Sequence, residues 1–72
     1  MKHTYTSNID KCKEQIFDSC LYLQNNQISD RDKLESIPYH YLLLNRLIDY
    51  IGWNNYLKAV DEIHSKIKQF IN

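Results

Sequence analysis

A single proline, Pro38, and a single glycine, Gly52, are the only strong backbone punctuation in a chain of 72 residues. Turns draw on these two residue types more than on most others, so their scarcity leaves few places for the chain to reverse. Valine occurs once and threonine twice, which thins the side chains that pack best on a pleated sheet. The sequence therefore predicts an all-α fold: a small antiparallel bundle of three longer helices plus one short helix. It forms a single domain over residues 1–72, with residues 1–6 expected to fray.

Apolar spacing places the helices. Ser7-Asn8-Ile9-Asp10 has the form of a capping box and marks an expected first start. Ile9, Cys12, Ile16, Cys20 and Leu23 then form a narrow seam, with Phe17 and Leu21 beside it, before an expected end at Asn25-Asn26-Gln27. Ser29 begins a second start, followed by Asp30 and Asp32, which suit the positive end of a helix dipole. Pro38 disfavours helical geometry at Ile37, so this second helix is expected to be short and to break there. The third, Pro38 to Ile51, is apolar around much of its circumference, through Tyr39, Leu43, Leu44, Leu47, Ile48, Tyr50 and Ile51. It is expected at the centre, with Leu42 stranded among Asn45, Arg46 and Asp49. Gly52 is a natural stop, and Asn54 is the expected cap of a last helix whose apolar face is Tyr56, Val60, Ile63, Ile67 and Phe70.

Composition narrows the function classes. Nine Lys and Arg balance nine Asp and Glu, which argues against a general nucleic-acid binder, because phosphate contact calls for a basic surface. A chain this short buries only about 60% of the surface its unfolded form exposes, too little to wall a large catalytic cleft. The longest uninterrupted apolar run, Tyr41-Leu42-Leu43-Leu44, falls far short of a membrane span. No secretory pattern follows Lys2, and two free thiols fit a reducing compartment, so a cytoplasmic or host-cytoplasmic location is expected. Ile, Lys, Asn and Tyr make up 29 of the 72 residues, and Gly, Ala, Pro and Arg only 5, a bias of AT-rich coding that fits a low-GC bacterium, a plasmid or a phage.

Chemistry-bearing residues are few. Cys12 and Cys20 lie on one seam, about 12 Å apart along a helix, too far to bridge. His40 and His64 project from the apolar arcs of the two later helices, so two thiols and two imidazoles could meet in a core. Yet no Cys-x-x-Cys or His-x-x-x-His pair is present, and buried cysteine is simply a small hydrophobe, so no metal and no cofactor is expected. A Cys–His nucleophilic pair needs a thiolate in a positive, partly exposed setting, which a mid-helix seam does not supply. No nucleophile, base and orienting group stand together, and no catalysis is expected. Gln27-Ile28-Ser29 mimics a helix-turn-helix corner, but the helix after it opens on Asp30 and Asp32, which would face phosphates.

The feature with most weight is aromatic. Tyr39, Tyr41, Tyr50, Trp53 and Tyr56 fall within 18 positions, with Arg46 among them. Tyr, Trp and Arg anchor protein interfaces because each joins a large contact area to a polar tip. Covering both sides of so apolar a helix with two other long helices is difficult, and monomers rarely leave wide apolar faces bare. The expectation is a non-enzymatic regulator or inhibitor that docks a Tyr- and Trp-rich helical surface, Tyr39, Tyr41, Arg46, Tyr50, Trp53 and Tyr56, onto a partner protein. Its rivals are a self-assembling homodimer and, further back, a DNA- or metal-dependent regulator; no membrane partner is expected.

Overall fold

The computed structural model describes residues 2–71, with side chains placed for residues 8–70. They form three α-helices: α1 (Lys2–Gln24), α2 (Asp30–Ile51) and α3 (Trp53–Ile71). The all-α expectation holds and the extra short helix does not. Helix α1 begins at Lys2, so Ser7–Asp10 lies within it rather than at its start.

Two short connections set the architecture. Asn25 builds the first: its carbonyl accepts from Ile28 N–H at 3.2 Å and its Oδ1 accepts from Gln27 N–H at 2.9 Å. That side-chain turn ends α1 where the polar Asn-Asn-Gln run begins. Ser29 then caps α2 as expected, its Oγ accepting from Asp32 N–H at 3.2 Å. The second connection is Gly52 alone. Its N–H donates to Ile48 O at 2.8 Å, and its carbonyl accepts from Tyr56 N–H at 2.9 Å. Asn54 is therefore inside the first turn of α3 rather than at its cap, and the neighbouring Asn55 Nδ2 ties back to Ile51 O at 3.0 Å. The bend requires φ +81° and ψ 165° at Gly52, a region open to glycine and costly for other residues.

The expected break at Pro38 is absent: α2 runs unbroken through it. Proline removes one backbone donor from a helix interior and crowds the carbonyl four residues earlier. Pro38 and Leu34 both lie on the exposed side of α2, where water can take up that carbonyl. On the opposite side Leu43 and Leu47 are completely buried, anchoring the helix beyond the proline against both neighbours.

The core is a short column. Cys12, Ile16 and Cys20 come from α1, Leu43 and Leu47 from α2, and Ala59, Ile63 and Ile67 from α3. Ile9, Phe17, Leu21, Leu44, Tyr50, Ile51 and Tyr56 pack around it half-buried. Helix α2 does not take the central place that its apolar arc predicts: it gives only Leu43 and Leu47 to this column, and Tyr39, Tyr41 and Leu42 stay exposed, because two neighbouring helices cover only one side of it. The buried line of α3 is turned toward Ala59, leaving Leu57 and Phe70 exposed; Phe70 meets Phe17 edge-on at 6.1 Å. No helix among the described residues is long and apolar enough to cross a membrane.

Candidate functional site

The aromatic residues do not gather into one patch; α2 distributes them by azimuth. Tyr39, Arg46 and Tyr50 lie at spacings of seven and four, which puts them on one flank of the helix. That flank meets α1. Half-exposed Tyr39 shares a small cleft with Gln15, Asp18, Ser19, Tyr22 and Ser36, and Arg46 stands near enough to Cys12 to act on its thiol electrostatically. Tyr50 packs half-buried against the core. Tyr41 points the other way and is 61% exposed. Trp53 is 59% exposed at the α2–α3 corner, its ring stacked on half-buried Tyr56 with centroids 5.4 Å apart.

Around Tyr41 lies a surface that the aromatic count alone does not reveal. Leu34, Ile37, Pro38, Tyr41, Asn45 and Ile48 fall within roughly 100° of one another on the helical wheel, pointing away from Leu43 and Leu47. Leu34, Pro38 and Tyr41 are exposed, Ile37 and Ile48 half-buried, and exposed Leu42 borders the stripe. Asn45 is its one polar member. Helix α2 thus carries two apolar faces, one filled by the bundle and one turned outward. The signal was present in the sequence as a seven-residue repeat, Leu34–Tyr41–Ile48, beneath the stronger inward pattern of Leu43 and Leu47.

A second concavity lies between α1 and α3. It encloses about 510 Å³, with Phe17, Ala59 and Ile63 as its apolar floor and Asp10, Glu14, Asp18, Lys13, Glu62 and Lys66 around it. Four carboxylates against two lysines make its rim net acidic, which disfavours an anion.

The core polar groups are satisfied by one another. Cys12 Sγ donates to Leu43 O at 3.4 Å. His40 Nδ1 and Ser19 Oγ are 2.8 Å apart. Burial pushes both cysteine thiols above their usual range, and at Cys12 the positive field of Arg46 partly opposes that rise. Burial also lowers His40, and the nearby His64 adds to the effect. At neutral pH the thiols hold their protons and His40 is uncharged, so neither serves as a ready nucleophile or cationic partner. Among the described residues no group of three or more His, Cys, Asp or Glu could hold a metal ion, so the two thiols and two imidazoles do not assemble a ligand set. No family model, curated protein or solved structure matches the chain.

Proposed function

We propose that this chain is a non-catalytic docking module, a small regulator or inhibitor that works by laying the outward face of α2 and the Trp53 corner against another polypeptide. The observation that carries the reading is Tyr41, 61% exposed in the middle of an apolar stripe on a helix whose opposite side already fills the core. Removing such a face from water is favourable, and monomers seldom leave one uncovered. Tyr41, Trp53 and exposed Arg46 are residue types whose large area and polar tips make interface anchors. A non-catalytic role accords with the state of the reactive groups: Ser19 is buried with its hydroxyl engaged by His40, and both thiols are buried and protonated.

The test is to replace Tyr41, Arg46 and Trp53 singly by alanine, measuring urea stability and capture of the partner side by side. An anchor loses about 2 kcal/mol of binding or more on truncation, close to a thirtyfold drop in affinity, while an exposed position changes stability by about 0.5 kcal/mol or less. If all three variants unfold and none weakens capture selectively, these residues serve the fold and the reading is wrong.

A further inference from the structure

We infer that the cleft between α1 and α3 is a second docking site, and that it takes a basic amphipathic helix of a partner protein. This goes beyond the docking reading above and does not rest on it. The outward stripe of α2 runs through Leu34, Tyr41 and Ile48, none of which lines the cleft.

The floor of the cleft supplies the apolar half of the site. Ala59 brings only a methyl group to the boundary with α1, and a hollow of about 510 Å³ stands over it, Phe17 and Ile63. That volume lies in the range of concave sites that take ligands. Phe70, exposed near the end of α3, meets Phe17 edge-on and carries the apolar floor outward.

Charge on the walls decides the occupant. Asp10, Glu14 and Asp18 of α1 are exposed and four residues apart, so they form a row of about 12 Å with about 6 Å between neighbours. Like charges at this spacing repel one another on a helix. Glu62 of α3 adds a fourth carboxylate, and Lys13 and Lys66 offset two, which leaves two in excess. Lys58 lies on the continuation of the crease toward Ile51 and Asn55, outside the cleft itself. Among the described residues none of the four carboxylates is held in an ion pair. An arriving cation therefore relieves a repulsion without displacing an existing partner. A partner helix has the same rise per residue as α1, so Lys or Arg at every fourth position meets Asp10, Glu14 and Asp18 in step. Its apolar seam then enters over Phe17 and Ile63, the way a helix lies in a groove. An acidic helix would add to the excess of negative charge.

Titration of the isotope-labelled whole chain with synthetic helical peptides, followed by amide NMR shifts and fluorescence anisotropy, tests this. The first peptide carries a leucine seam with lysine at every fourth position beside it. One control has glutamate in place of the lysines, and another has serine in place of the leucines. The first should bind saturably and move the amides around Glu14 and Glu62, and each control should bind about tenfold more weakly or worse. Glu14→Lys with Asp18→Lys changes only exposed positions and should keep the helical melt while reversing the preference toward the glutamate peptide. Tyr41→Ala should leave binding of the lysine peptide unchanged. No saturable binding at about 1 mM overturns the inference. So does equal binding of the lysine peptide and either control, or binding that survives the Glu14 and Asp18 replacements. Loss of binding in Tyr41→Ala would put the peptide on α2 and overturn it too. None of these failures touches the docking reading, whose own test is capture by the α2 face.

Discussion

Ser19 of α1 and His40 of α2, 21 residues apart in sequence, meet through a 2.8 Å contact between Oγ and Nδ1. This polar link between the two helices lies beside a core that is otherwise cysteine and aliphatic. It makes the bundle sensitive to protons, since the environment of the imidazole favours its neutral form.

Stability should fall as pH drops below about 6.5. Burial first, and His64 second, hold folded His40 below the ordinary histidine value of 6.5. The unfolded chain therefore binds more protons than the folded one as pH falls through that value, and unfolding becomes easier. Urea midpoints at pH 7.5 and 5.5 check this. The midpoint should fall in the parent, and His40→Gln, which can still hydrogen-bond Ser19, should fall less. An equal fall in both would assign the effect to other groups.

Leu43→Ala and Leu47→Ala should each cost about 2–5 kcal/mol of unfolding free energy, because both side chains are completely buried at the meeting point of three helices. Leu42→Ala, one position away but half exposed, should cost less than about 1 kcal/mol. Denaturant titration of the three variants compares the two sides of α2 directly.

Pro38→Ala should raise the melting temperature. Proline is about 3 kcal/mol worse than alanine in a helix interior, and α2 is continuous through this exposed position, so restoring the donor should recover a substantial part of that difference. Gly52→Ala should do the reverse, by about 1–3 kcal/mol, through backbone strain alone: a Cβ at this position meets nothing within 4 Å. Calorimetry on the two variants gives both signs in one experiment.

Both thiols should resist alkylation at pH 7.5 until the protein unfolds. Cys12 and Cys20 are buried, and burial disfavours their thiolates. The rate of iodoacetamide modification should rise by orders of magnitude in denaturant. Fast reaction in native buffer would show that the α1 seam opens readily.

The parts of this fold that could be read from the sequence are those where one pattern dominates. Cys12, Ile16 and Cys20 repeat every four residues with all but Phe17 of the residues between them polar, and the burial of α1 follows that repeat. Ser29 and Gly52 were legible because their roles depend on their own backbone and side-chain chemistry. Pro38 was misread because its local bias against helix is small beside the burial of Leu43 and Leu47, which keeps both halves of α2 on one axis. Ala59 was missed because alanine adds little to an apolar pattern, although it is buried in the α3 line. Of the candidate surface, the opposite directions of Tyr39 and Tyr41 were legible, because two residues apart on one helix lie about 200° around it; which of those flanks α1 would meet was not, since that depends on how the helices pack. The Ser19–His40 contact leaves no sequence signal, because nothing local links positions 21 apart.

The central claim is that another polypeptide covers the outward face of α2, and photo-crosslinking in the native source tests it most directly. A photoreactive phenylalanine analogue would replace Tyr41 in one chain and Asp61 of α3, which is also exposed, in another. The account predicts a strong, discrete adduct from position 41, either with the chain itself or with one other protein, and only background from position 61. Equal background from both positions would contradict it.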